Sequence, residues 1–302
     1  MNESQPESMN QRVAARLREG ADLLALQRAN PFRVSAYRRA ADTVAHLDRD
    51  VRAIVEREGP EHLQSLPGIG RGIAAAIIEI VATGRWSQLE RLRGELDPVR
   101  LFQSVPGIGP VLAERLHEQL HIDTLEALET AAHDGRLERV PGVGPRRAAV
   151  LRAVLETMLG RVRSRARQPA RSPSVAVLLD VDREYREKSA RGSLPTIAPR
   201  RFNPEGKAWL PILHTDRDGW HFTALYSNTA RAHDLGRTRD WVVLYFYDDH
   251  HQEGQHTVVT ETRGPLEGKR VVRGLETPCR AYYAAGEAKP SGNVTDVTTD
   301  DA

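Results

Sequence analysis

One short pattern occurs three times in the first half of the chain: LPGIGRGIAAAI at 66–77, VPGIGPVLAERL at 105–116 and VPGVGPRRAAVL at 140–151. The equivalent glycines Gly68, Gly107 and Gly142 lie 39 and 35 residues apart. Each copy runs apolar residue, Pro, Gly, aliphatic residue, Gly, then an amphipathic stretch with alanine at a fixed offset (Ala74, Ala113, Ala148). Tandem self-similarity of this kind identifies a structural unit that is used repeatedly.

The unit predicts a helical hairpin. One helix ends before Pro-Gly, a second starts after the second glycine, and the first glycine accommodates a positive φ. The aliphatic residue, Ile69, Ile108 or Val143, should pin the turn to the core beneath, and the alanine should let the two helices pack closely. The first amides of the second helix have no intrahelical acceptor and sit at the positive end of the helix dipole, so an anionic oxygen such as a phosphate can approach them. Backbone contacts of this sort read phosphate and not base edges, so binding through them should be largely sequence-independent. The residues expected to carry it are Gly68, Ile69, Gly70, Arg71 and Gly72, then Gly107, Ile108 and Gly109, then Gly142, Val143, Gly144, Arg146 and Arg147. The competing reading makes PGxG a plain connector between helices. Bare connectors have no reason to repeat the inner aliphatic and the downstream alanine.

Charge supports an anionic partner. Residues 1–171 hold 26 Arg, no Lys and 22 acidic residues, a balance of +4, whereas residues 172–302 hold 13 Arg, 4 Lys and 19 acidic residues, a balance of −2. Part of the excess falls in RVRSRARQPARSP at 161–173, expected to be an exposed basic linker that either lies along phosphates or simply spaces two domains. At 302 residues the chain has room for roughly two domains. Its longest apolar run, 73–82, is interrupted by Glu79 and too short to cross a bilayer, so no membrane partner is expected. The polar start MNESQPESMN and the single Cys279 point to a cytoplasmic protein without disulfides.

The repeats resemble helix-hairpin-helix motifs. Together with NPFRVSAYRRAA at 30–41, the helix expected over 11–29 and the stretch DTLEALETAAHDGRLERVPGVG, they resemble the N-terminal region of bacterial-type family X DNA polymerases over about residues 9–160. The resemblance implies a domain that binds gapped DNA and holds its 5′-phosphate, with Arg33 and Tyr37 at positions of the pocket and Arg38 and Arg39 continuing the basic face. Gln64 and Gly72 stand uncharged at matching places, and an amphipathic helix with Tyr37 at the core edge is the alternative. It also implies a monovalent cation, K⁺ or Na⁺, held by the backbone carbonyls of Gln64, Leu66 and Ile69 and of Gln103, Val105 and Ile108; no other cofactor is expected. The family's lyase lysine is replaced by Ala76, and no lysine precedes Lys188. Imine-forming lyase chemistry is therefore expected to be absent, barring use of the N-terminal amine. The Gly-Ser turn and three carboxylates of a polymerase site are not found either; Asp180 and Asp182 form a DxD, but VAVLLDVDREYREK reads as a helix with Asp180 and Glu184 four residues apart.

Beyond residue 174 the pattern changes to β-rich runs at 209–214, 220–227, 241–247, 256–262 and 269–274, with turns at DRDG (216–219) and GPLEG (264–268) and a short helix within 227–236. The fold class expected is multidomain: an all-α tandem-hairpin domain over 1–160, the linker 161–173, a small α+β domain with an antiparallel sheet over 174–285, and a disordered tail over 286–302. Histidines 214, 221, 233, 250, 251 and 256 show no metal-ligand spacing. Asp240 and Glu261 with Arg263 could imitate a metal-dependent nuclease. In IAPRRFNP, Arg200, Arg201 and Phe202 could touch nucleic acid, though a buried phenylalanine beside a surface arginine pair is the plainer account. The leading expectation is a DNA-repair protein that binds gapped, nicked or branched DNA through its backbone. A nuclease housed in the C-terminal domain and a protein-interaction adaptor are the alternatives.

Overall fold

The computed structural model describes residues 8–95, 97–159, 172–248 and 253–287. The expected linker, apart from its last two residues, most of the expected tail, and His250 and His251 lie outside them.

Five helices come first: α1 (Met9–Leu26), α2 (Pro31–Ala45), α3 (Val51–Ser65), α4 (Arg71–Thr83) and α5 (Ser87–Arg93). Local chemistry sets their starts. Ser8 and Gln11 cap one another's backbone ahead of α1, Asn30 caps α2 with Pro31 in its first turn, and Asp50 caps α3. Gly59, at φ 78°, breaks α3 just before Pro60. A second helical group follows: α6 (Pro98–Gln103), α7 (Pro110–Leu120), α8 (Leu125–His133), a 3-10 turn (Leu137–Arg139) and α9 (Pro145–Met158).

The C-terminal part opens with α10 (Val175–Ala190) and continues as β1 (Thr196–Ile197), β2 (Leu210–Arg217), β3 (Trp220–Tyr226), α11 (Ala230–Asp234), β4 (Val242–Asp248), β5 (Glu253–Thr260), β6 (Arg270–Val272) and α12 (Glu276–Glu287). The six strands form one sheet in chain order, every neighbouring pair antiparallel. The chain is thus a multidomain α+β protein. Three details differ from expectation, the first being the short β1, which lies in no expected run. The strand expected at 256–262 starts at Glu253, because Tyr247 of β4 pairs with Glu253, and it stops at Thr260. Helix α12 was not foreseen; it docks through buried Cys279 and through Tyr283, whose hydroxyl donates to Arg270 O at 2.7 Å.

Antiparallel partners share a face, so the register sorts the sheet into rows. Leu213, Ala224, Leu244 and His256 form one row, and Phe222 and Phe246 the next, on the face that α10 covers. Tyr185 of α10 is fully buried there; its hydroxyl donates to Pro211 O (2.9 Å) and accepts from Tyr226 N (2.8 Å). His214, Thr223, Tyr245 and Gln255 form a polar row on the opposite face, toward the N-terminal helices.

The apolar cores follow different lines from the chain divisions expected above. One continuous cluster joins residues of α1–α5 to the sheet, α10 and α12; a separate cluster, Leu101 to Leu159, belongs to α6–α9. Sequence periodicity could not reveal that the first helical group shares a core with strands more than 100 residues later.

Candidate nucleic-acid interface

The three repeats adopt one geometry. Gly68, Gly107 and Gly142 have φ of 74°, 89° and 90°, a region where a side chain would be strained. Ile69, Ile108 and Val143 are buried, and each donates its amide back to the residue before the proline, to Leu66, Val105 and Val140 O at 3.2, 3.0 and 3.0 Å. Ala74, Ala113 and Ala148 are buried at the packed face of α4, α7 and α9. Between them stand Gly70, Gly109 and Gly144 as the N-caps of those helices, all exposed, with φ between −80° and −86°. None receives a side-chain cap, and a Cβ built on any of the three meets nothing within 4 Å. The turns therefore present helix N-termini to open space on a rigid base.

The second and third turns are fastened to each other. Arg147 donates through Nη1 to Gly142 O (3.1 Å) and through Nη2 to Gly107 O (2.9 Å), and Arg115 Nη1 reaches Pro141 O (3.3 Å). Arg146 is exposed at the start of α9. The first turn is anchored on α2, where Thr43 Oγ1 donates to Pro67 O at 2.8 Å and Gly68 lies against Arg39. Arg71 and Arg39 are exposed beside it, while Gly72 is half-buried.

The residues expected around a 5′-phosphate separate. Arg38 is exposed and pairs with Asp22 at 2.8 Å. Tyr37 is buried; its hydroxyl donates to Gln88 Oε1 (3.0 Å) and its ring lies 5.3 Å from that of Trp86, so it serves packing and does not face an external phosphate. Arg33 turns to the sheet, its guanidinium 4.8 Å from the Tyr247 ring centre, with Nε buried and without a hydrogen-bond partner. Aromatic neighbours and the sheet, neither visible in the local pattern, draw these two side chains inward.

Of the carbonyls expected to face a monovalent cation, Leu66 O and Val105 O each already accept the amide of the residue three positions on. A carbonyl oxygen keeps a second lone pair, so these bonds do not bar either oxygen from a cation; Gln64 and Gln103 are exposed.

The C-terminal carboxylates are engaged by arginines. Arg270 pairs with Asp182 Oδ1 and Asp240 Oδ1, both at 2.6 Å, and Arg273 with Glu261 Oε2 at 2.7 Å. Asp180 pairs with Arg183 and Arg217, and Glu184 with Arg217 and Lys188. Among the described residues no group of three His, Cys, Asp or Glu side chains is arranged to hold a metal ion. Phe202 corrects the plainer expectation: it is 48% exposed, at φ 54°, with its ring 4.2 Å from that of His233. Arg201 leans over it at 5.5 Å.

No sequence pattern foretells the polar seam where both helical groups meet the sheet. Tyr245 Oη donates to Asp123 Oδ2 at 2.5 Å, Gln255 donates to the same oxygen at 3.1 Å, and the Asp123 amide donates to Gln255 Oε1. His117 Nδ1 lies 3.0 Å from Asp123 Oδ1. Burial works against charge on both, yet the mutual hydrogen bond and attraction outweigh it, raising the pKa of His117 and lowering that of Asp123. Arg91, 5% exposed, lies 3.5 Å from the Tyr245 ring centre. At the far end of the row His214 Nε2 meets Gln27 Oε1 and Nδ1 meets Thr223 Oγ1, both at 3.0 Å.

These turns have the build of helix-hairpin-helix motifs. Residues 8–86 match the family model described as a helix-hairpin-helix domain, and residues 99–156 match that of a SAM-like helix-hairpin-helix tandem. Two relatives extend the likeness. The chain is 32% identical over 118 residues, 39% of its length, to "DNA polymerase/3'-5' exonuclease PolX" of Bacillus subtilis (strain 168), and 40% identical over 74 residues, 24% of its length, to "DNA polymerase lambda" of Arabidopsis thaliana. The matches span only 20% and 14% of those proteins. The N-terminal region is thus similar to the helix-hairpin-helix part of family X polymerases.

Proposed function

We propose that this chain is a cytoplasmic, sequence-independent DNA-binding protein that grips the sugar-phosphate backbone of gapped, nicked or branched DNA in repair. It neither polymerises nor cleaves abasic sites through an imine. The observation that carries the reading is the set of three like-built glycine corners at whose N-cap a Cβ would meet nothing within 4 Å. Phosphate oxygens fit such corners through amide donors and helix dipoles, and Arg71, Arg146 and Arg39 supply charge beside them. The absence of lysine from the first 187 residues and the buried alanine at position 76 support the loss of lyase chemistry. The nuclease alternative is disfavoured by Arg270 and Arg273, which neutralise Asp240 and Glu261.

The test is binding of the full chain to intact, gapped and single-stranded DNA over a range of salt concentrations. Affinity should fall with salt and be highest for gapped duplex, and Arg146→Gln should reduce the slope of log K against log salt by about 1. Equal affinity for the three DNAs would remove structure sensitivity, and absence of binding at low salt would remove the reading altogether.

A further inference from the structure

The seam between the helical groups and the sheet holds a small solvent-open cleft of about 70 Å³. Its walls come from three parts of the fold: Arg91 from α5, His117 and Asp123 from the second helical group, and Arg201, Ser227 and Asn228 from loops of the C-terminal part. Apolar Leu225 and Val243 contribute to the lining. None of this belongs to the hairpin corners.

The charge in the cleft favours an anion. Two guanidinium groups line it, and Asp123 is the one carboxylate among the described lining residues. That carboxylate is already engaged by His117, Tyr245 and Gln255. The raised pKa of His117 adds further positive character. Guanidinium forks suit phosphate oxygens in direction as well as in charge.

Beside the cleft stands a half-exposed aromatic ring. Phe202 is 48% exposed and sits at φ 54°, a costly conformation for a residue with a large side chain. The loop is fixed in this shape: Asn228 Nδ2 donates to Arg201 O at 2.9 Å, Asn228 Oδ1 meets His233 Nε2 at 2.6 Å, and the His233 ring supports Phe202 from one side. Asn228 and Arg201, which hold this ring, also line the cleft, so the aromatic platform and the cationic interior are adjacent.

We propose that this seam is a second nucleic-acid site that takes a single nucleotide unit, with its base stacked on Phe202 and its phosphate directed to Arg201 and Arg91. The unit is a free nucleotide or the unpaired terminal nucleotide of a DNA strand; both present the same base and phosphate.

The test uses 2-aminopurine, whose fluorescence is quenched on stacking, as the free deoxynucleoside monophosphate and as a one-nucleotide overhang on a duplex. Each is titrated with the full chain. Quenching with the free nucleotide assigns the site to free nucleotides, and quenching with the overhang alone assigns it to strand ends. Phe202→Gly, which removes the ring and relieves the backbone, and Arg201→Gln should each weaken the quenched complex about tenfold or more while the melting temperature holds. Gly109→Leu and Gly144→Leu should leave quenching by the free nucleotide unchanged, which separates this site from the hairpins. No quenching with either probe, or quenching equal in wild type, F202G and R201Q, overturns the proposal.

Discussion

Tyr245 in the middle of the sheet gives its hydroxyl proton to Asp123, a residue of the second helical group, at 2.5 Å across a boundary from which water is largely excluded. The two lie 122 positions apart in sequence. Tyr245→Phe leaves Asp123 with His117 and Gln255 and should cost about 1–2 kcal/mol. Asp123→Ala strands His117 and Gln255 together and should cost about 3 kcal/mol or more. Denaturant unfolding of the two variants against wild type checks the order; equal stabilities would show that the seam does not hold the parts together.

Gly109 and Gly144 offer a substitution with opposite effects on stability and binding. Gly109→Asp or Gly144→Asp puts a capping carboxylate at a helix N-terminus where space is open, and should stabilise by about a few tenths of a kcal/mol. The same carboxylate occupies the place proposed for a phosphate and repels it, so DNA affinity should fall about tenfold or more. Melting temperature and DNA titration on one preparation read both signs.

The neighbouring glycines behave differently. Gly107→Ala and Gly142→Ala force a side chain into φ near 90° and should each destabilise by about 1 kcal/mol or more. Gly109→Ala, at φ −86°, should leave stability within about 0.5 kcal/mol. Comparison of urea midpoints for the three variants suffices.

Burial pushes the His214 pKa down to about 3, helped by the charges of Arg33 and Arg91, and the ring is held neutral between Gln27 and Thr223. Its unfolded pKa is about 6.5, so below that pH the unfolded chain takes up a proton that the folded chain refuses. Stability should be unaffected above pH 6.5 and fall as pH drops, by about 1.4 kcal/mol from this residue for each unit well below 6.5. His256, lowered to about 4 by burial, acts in the same direction. His214→Gln should flatten the decline between pH 6.5 and pH 5 in thermal melts, and an unchanged slope would exclude this histidine as a source.

Lyase chemistry has its own check. Borohydride added to the chain with abasic-site DNA should trap no adduct on residues 9–160, where no lysine exists and Ala76 is buried. Mass spectrometry of the digested protein locates any adduct that forms.

The hairpins were legible because three copies place the same small and apolar residues at the same offsets, and steric rules at glycine act locally. The strands were legible for the same local reason: alternation and β-branched or aromatic runs such as WVVLYFY. The segment 30–41 reads equally as a phosphate pocket or as an amphipathic helix with Tyr37 at the core edge, and what turns Tyr37 and Arg33 inward is Trp86, Gln88 and Tyr247, all distant in sequence. The seam was invisible for a like reason. His214, Tyr245 and Gln255 come into line only through strand register, and nothing in the pattern around Asp123 or Arg91 says which face of which strand each will meet.

Arg147 bears on how such a protein meets a bent or broken duplex. By joining Gly107 O to Gly142 O through one planar group, it ties the second and third corners to one another at a set spacing in this structure. A set spacing does not adapt to the strand laid across it. If the chain grips DNA as proposed, interrupted DNA gives way at little cost whereas continuous duplex must be deformed to fit, so a preference for damaged DNA would reside in the stiffness of the nucleic acid itself.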